Sequence, residues 1–238
     1  MSPIVHFTQP ESERRLLTET PVPLHDDPFA AGRRVHFHEP RQGYVSGVAS
    51  DRDAERRIED YPWVELSIVE AGTLHIEGDG YGLSVSAGEA LVIPRGANLR
   101  WTHQGELRRI FVVFTGAASG GDMPARAVKI DPHADLQPCS PPSASVLLTP
   151  EPVAHSHTQF ESGGCLRIGI WRCSPYARQQ VEPGYSELMY FYQGRVRFDT
   201  PTGERYSVHA GEAILIPAGA ANAWRNDVAV KKLFCILS

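Results

Sequence analysis

The sequence predicts an all-β chain built from two tandem copies of one antiparallel unit, and three observations carry that prediction. The run from Glu65 to Trp101 returns as the run from Glu187 to Trp224. Gly47 and Gly169, Glu65 and Glu187, and Gly72 and Gly194 stand at an offset of 122, and after one inserted residue Gly88, Pro94, Gly96 and Trp101 answer Gly211, Pro217, Gly219 and Trp224 at 123. Self-similarity at a fixed spacing with a single gap marks one unit used twice. Short stretches also alternate apolar and polar residues, the period of half-buried strands. Glycines then punctuate these stretches where tight connections demand positive φ. Many short strands and little helical period point to antiparallel barrels or sandwiches, one per copy.

Taken in order, residues 1 to about 40 are rich in proline and charge and read as an irregular arm with one or two short strands. From Gly43 the alternation sets in: Leu74 and Ile76 oppose His75, and Leu83 and Val85 oppose Ser84 and Ser86. GDG at 78–80 and AGE at 87–89 supply turns, and the RRIFVVF run from Arg108 to Phe114 closes the first copy. The stretch from Thr115 to about Pro152, heavy in Gly, Pro, Ala and Ser, reads as a connector plus a second arm lying extended on the surface. Strands resume at LRIGIWRC, 166–173, and KKLFCIL, 231–237, answers RRIFVVF. The expected domains are therefore 1–118, a first unit with its arm, and 119–238, a linker, second arm and second unit.

Composition narrows the function classes. Of 238 residues 42% are hydrophobic, and no apolar run approaches the roughly 20 residues of a membrane-spanning helix. The first residues lack the charged start and apolar stretch of a secretory signal, so a cytoplasmic protein is expected. A formal charge of -5 gives no general attraction to phosphate backbones or anionic lipid, so neither nucleic acid nor membrane is an expected partner. Cys139, Cys165, Cys173 and Cys235 form no CxxC pair and read as free thiols, Cys173 and Cys235 as small hydrophobes in strands.

The turns of the second copy carry a resemblance. GEAILIPAGAANAWRN resembles the second motif of the cupin superfamily, with Asn222 at the histidine position and Asn226 at the asparagine. Glu187, with Gly194 after it, resembles the end of the first motif, but the upstream positions Gln180, Val181, Glu182 and Pro183 hold no histidine. In the first copy Leu99 replaces the histidine and His103 the asparagine. The second copy is similar also to the cupin subfamily named for (S)-ureidoglycine aminohydrolase, through Gly169-Ile170-Trp171, Glu187, Ala210-Gly211-Glu212, Ile216-Pro217-Ala218-Gly219, Trp224, and Lys232 with Phe234. The resemblance implies two double-stranded β-helix, or jelly-roll, barrels with extended N-terminal arms: a bicupin.

It also implies where a site should lie. A cupin metal centre uses three imidazoles and a carboxylate, donors that suit manganese, iron, nickel or zinc. Only the carboxylate persists here, so no tightly held metal is expected. If a divalent metal binds, Glu187, Asn222 and Glu182 are the oxygen donors left, joined by His155 and His157, a His-x-His pair before Glu161 that mimics the first motif but precedes the repeat's own glutamate. His36 and His38, in the first arm, are a similar decoy, and His75 and His209 read as solvated.

Strand parity puts Asn222, Trp224 and Asn226 on one face and Glu187, Met189 and Phe191 on another, and the geometry that the cupin resemblance implies points both faces inward. A buried Glu187 needs a partner, and Lys232, the Asn222 amide and the Trp224 indole N–H are the candidates. Trp171, Glu187, Asn222, Trp224 and Lys232 are thus the expected ligand-binding set, with Glu187 the one candidate for acid or base catalysis. Glu65, Leu99, Trp101 and Arg109 form the degenerate counterpart. Three functions are compatible: binding of a small polar or anionic metabolite, metal-dependent hydrolysis or isomerisation as in ureidoglycine aminohydrolase, and a structural or regulatory scaffold. A monomer or homodimer is expected.

Overall fold

In the computed structural model the alternating stretches become strands, and the chain is all-β. The structure describes residues 4–7, 17–20, 22, 24–116 and 126–238. It divides into two units, Leu17–Ile130 and Asp131–Ser238, and the N-terminal strand β1 (Val5–Phe7) belongs with the second. The boundary expected after residue 118 is therefore found twelve residues later, between Ile130 and Asp131. The reason is a short strand inside the expected linker. Val128–Ile130 pairs with Ala90–Val92, and the Ile130 side chain is fully buried there. Residues 117–125 of that linker lie outside the described residues.

The first unit contains β2 (Arg33–Glu39), β3 (Tyr44–Ile58), β4 (Val64–Ala71), β5 (Thr73–Gly78), β6 (Tyr81–Ser86), β7 (Ala90–Ile93), β8 (Leu99–Phe114) and β9 (Val128–Ile130). They form one sheet in the order β2-β3-β8-β4-β7-β9, with β5 attached to β8 and β6 to β5. β3 and β8 are long enough to run through both layers. A bulge between Arg52 and Ala54, where Asp53 takes a φ of 48°, bends them so that Trp101, Leu74 and Ile76 meet Leu91, Phe111 and Val113 in one core.

The second unit contains β10 (Gln137–Pro138), β11 (Ala154–Ser162), β12 (Leu166–Cys173), β13 (Tyr176–Val181), β14 (Ser186–Gln193), β15 (Arg195–Asp199), β16 (Arg205–His209), β17 (Ala213–Ile216), β18 (Asn222–Asn226) and β19 (Val230–Leu237). Seven strands form one sheet, β1-β17-β14-β19-β12-β11-β10, and four form another, β13-β18-β15-β16. Met189, Phe191 and Ile214 of the first pack against Val196, Phe198 and Trp224 of the second. Among the described residues neither unit's hydrogen bonding closes on itself, so each is an open jelly-roll-like sandwich rather than a closed barrel.

The repeat is visible in strand register. Arg109 of β8 stands opposite Ala49 and Val69, and Lys232 of β19 stands opposite Trp171 and Phe191, the same positions one repeat later. Glu65 faces Ile93 as Glu187 faces Ile216. Gly72 and Gly194 end β4 and β14 with φ of 85° and 82°, and a Cβ on either would press on a backbone carbonyl oxygen. That double demand explains their survival in both copies. No helix among the described residues is long and apolar enough to cross a membrane.

Candidate ligand-binding cleft

In the second unit a cleft of about 580 Å³ opens between the two sheets. At its base β14 and β19 bring Glu187 and Lys232 together, with Lys232 Nζ donating to Glu187 Oε1 at 2.8 Å. Both side chains are largely buried, at 15% and 8% exposure. The ammonium also lies 4.9 Å from the Trp171 ring centroid and 5.3 Å from that of Trp224. These indole faces stabilise it further by cation–π attraction. Trp224 is wedged in place by Tyr176, stacked at 5.5 Å, and by the edge of Phe198 at 5.1 Å.

Of the three expected partners for Glu187, Lys232 alone makes the contact. The Trp224 indole N–H donates instead to Asn226 Oδ1 at 2.7 Å, because residues two apart on a strand share a face. The Asn226 amide in turn donates to the Val228 and Ser174 carbonyls, tying the turn after β18 to that before β13. The Asn222 amide donates to the Ala220 carbonyl, and its Oδ1 accepts from Arg178 at 2.8 Å. Asn222 thus orients an arginine in the cleft wall rather than the carboxylate.

Arg178 was not singled out in the sequence, although it stands opposite Trp224 as Arg56 stands opposite Trp101. Its acceptors are neutral: Asn222 Oδ1 and the Asn222 and Gln179 carbonyls. Burial draws its pKa below the usual guanidinium value, and no carboxylate lies within ion-pair distance among the described residues. Tyr185 sits at the cleft mouth, its phenol raised chiefly by the nearby Glu187 charge and then by burial. Glu182 also lines the cleft. On β11 it is Ser156 and Thr158 that face the cleft, and His155 and His157 occupy the alternate face, His157 exposed. His36 is partly exposed and His38, His75 and His209 are exposed.

This donor set does not fit a cupin metal. No histidine lines the cleft, and among the described residues no three His, Cys, Asp or Glu side chains converge. Glu187 already has a cation, the Lys232 ammonium. Thiol chemistry has little support either. Burial pushes the Cys173 thiol up to about 11 and also raises Cys235, which leaves almost no thiolate at neutral pH.

The first unit retains the carboxylate but surrounds it. Glu65 Oε1 accepts from Arg109 and from Ser67 Oγ at 2.8 Å, and Oε2 accepts from the Tyr61 hydroxyl and from Arg33 at 2.6 Å. Asp27 clasps the far side of Arg33 at 2.7 Å. The Phe29 ring covers Arg109 at 4.5 Å and packs on Trp101, also at 4.5 Å. Leu99 is buried beside them. The counterpart read as degenerate, with Leu99 at the position of Asn222, is thus a filled charge network. Sequence reading passed over Arg33 because it lies in the arm, yet Arg33 shares a parity with Val35, which is buried in the core of this unit, and that is the signal of an inward arginine.

Burial alone would raise the Glu65 carboxyl, but the Arg33 and Arg109 guanidiniums outweigh it and hold the pKa at about 2. A folded value below the unfolded one means that the stabilisation is full above about pH 5 and is lost as pH falls towards 2. Acid titration followed by tryptophan fluorescence is expected to show cooperative loss of the first unit between roughly pH 4 and pH 2. Glu65→Gln should flatten that dependence; an unchanged acid profile would count against the network.

Comparison with known proteins now assigns the class. A family model described as a EutQ-like cupin domain matches residues 160–234. A protein of unknown function of the DUF861 family, from Pseudomonas syringae pv. tomato str. DC3000, is similar over 99% of this chain and 100% of its own, with 28% identity and a TM-score of 0.91. A cupin 2 conserved barrel domain protein from Leptotrichia buccalis matches over 98% of both chains at 14% identity and a TM-score of 0.63. Protein Ylba from E. coli, also of DUF861, matches over 94% of this chain and 88% of its own at 11% identity and a TM-score of 0.59. These last two speak for the fold alone. No curated protein matches. The chain has the cupin fold, and its second unit matches a cupin family model over residues 160–234.

Proposed function

We propose that this protein is a cytoplasmic bicupin of the ureidoglycine aminohydrolase type in architecture, whose second unit binds a small polar metabolite without a tightly held metal. Its first unit is structural. The observation that carries this reading is the contrast between two equivalent centres: among the described residues Glu65 is enclosed by four donors, whereas Glu187 has one and opens on a cleft of about 580 Å³. That volume lies in the range of small-molecule sites, and a few convergent polar groups among aromatic walls are their usual lining. Trp171 and Trp224 offer flat faces for a ligand, Glu187 accepts hydrogen bonds from it, and Arg178 and Lys232 can hold an anionic end. Arg178 strengthens the anion reading because it is half-buried with neutral acceptors only. With a metal absent from the donor set, the chemistry open to the site is recognition, with proton transfer at Glu187 where a bound ligand displaces Lys232. The protein is expected to work as a monomer or homodimer.

A thermal-shift screen of small carboxylates, amides and amines on the full chain tests the reading, because a ligand of the folded state raises the melting temperature by mass action. Hits should lose at least about tenfold in affinity in Glu187→Gln, the cost of about one charge-assisted hydrogen bond. Hits indifferent to Glu187, Trp224 and Lys232 substitutions would move the site elsewhere.

A further inference from the structure

The first unit contains an internal occupant of the space that the second leaves open. Arg33 donates to Glu65 Oε2, and its guanidinium carbon lies 4.4 Å from the centroid of Phe111. The ring above it, Phe29, rests on Trp101 and Arg109 and approaches Arg56. One repeat later these surroundings are Glu187, Phe234, Trp224, Lys232 and Arg178, and all of them line the cleft.

Strand register identifies what is missing. Arg33 stands opposite Ala49, and Ala49 stands opposite Arg109. In the second unit Ser156 stands opposite Trp171, and Trp171 opposite Lys232. Ser156 therefore occupies the position of Arg33. Trp171, in turn, places over Lys232 the ring that Phe29 places over Arg109. The aromatic cover has been kept and the guanidinium removed. Among the described residues Glu187 Oε2 is left with no donor, where Glu65 Oε2 has two.

Building on the cleft as a small-molecule site, we propose that its ligand carries a planar cation of the guanidinium or amidinium class, which donates to Glu187 Oε2 between the rings of Phe234 and Trp171. Such a cation replaces the Arg33 side chain. The neighbouring Lys232 does not forbid it, since Glu65 holds Arg33 and Arg109 together. A fork of parallel N–H donors suits a carboxylate edge, and its flat faces suit the aromatic walls.

The test uses the full chain and three probes of matched size, propylguanidine, propylurea and butyrate, with binding read by calorimetry. Propylguanidine is expected to bind at least tenfold more tightly than either of the others and to weaken at least tenfold in Glu187→Gln. Ser156→Arg should abolish its binding and raise the melting temperature by closing the cleft from within, while Ser156→Ala keeps binding. Butyrate or propylurea binding as well as propylguanidine would overturn the cation assignment while leaving a small-molecule cleft in place. Binding by none of the three overturns the assignment too, and the wider screen then decides the cleft by itself.

Discussion

Truncation of Glu65 to alanine is expected to destabilise the protein by roughly 3–5 kcal/mol, the usual cost of removing one partner of a buried ion pair. Glu65 is fully buried, and its two oxygens are the meeting point of Arg33, Arg109, Tyr61 and Ser67. Without it two guanidiniums face each other across a dry centre. Asp27 offsets only one of them. The melting temperature should fall by roughly 10 °C or more. The same reasoning predicts a contrasting result for joint replacement. Asp27→Asn, Arg33→Met, Glu65→Leu and Arg109→Met together remove the charges of the centre, the Asp27 carboxylate that Arg33 holds included, and the combined variant should be much closer to wild type than Glu65→Ala alone. Calorimetric melting of the two variants decides it; equal destabilisation would show that the network contributes through packing rather than charge.

Gly169→Ala is expected to cost about 2–4 kcal/mol, at or beyond the upper range for overpacking a core. A Cβ there would sit 2.1 Å from the His157 carbonyl oxygen and 2.8 Å from the Phe234 ring. The carbonyl is not free to retreat, since it belongs to a sheet strand with a register shift just beyond, between Thr158 and Phe160, and Phe234 can yield only into the cleft that it lines. Gly47 is in the same state, its added Cβ 2.0 Å from the Arg34 carbonyl oxygen beside the register shift between Val35 and Phe37. Urea denaturation of Gly47→Ala and Gly169→Ala should give reduced midpoints with the slope preserved. The Gly169 variant should also weaken ligand binding, because Phe234 is displaced into the cleft. Wild-type stability in both would mean that the strands can part at no cost.

These two glycines also show how far the sequence could be read. Their matching offset was legible, and it identified strands in corresponding places, because glycine spacing and apolar alternation are local properties of a chain. Lys232 was legible as one of three candidate partners for Glu187, and the structure shows which of the three makes the contact. The roles of Trp224 and Asn222 were not. Each had several acceptors or donors within reach on parity alone, and the choice of Asn226 for the indole and Arg178 for the amide depends on how β13 packs beside β18. Arg33 was missed because an arm that looks irregular in composition still contributes an inward-facing strand.

By itself the sequence determined the all-β architecture and the two copies, because periodicity and turn glycines can be counted along one dimension. Tertiary structure alone decided which centre is closed and which is open. The difference turns on Arg33 and Ser156, residues outside the repeated motifs, which take equivalent positions only once β2 and β11 pair with β3 and β12, where Arg33 reaches Glu65 and Ser156 leaves the cleft open. Whether a buried carboxylate is satisfied is a matter of donors converging from several strands on one point, and that convergence exists only in three dimensions.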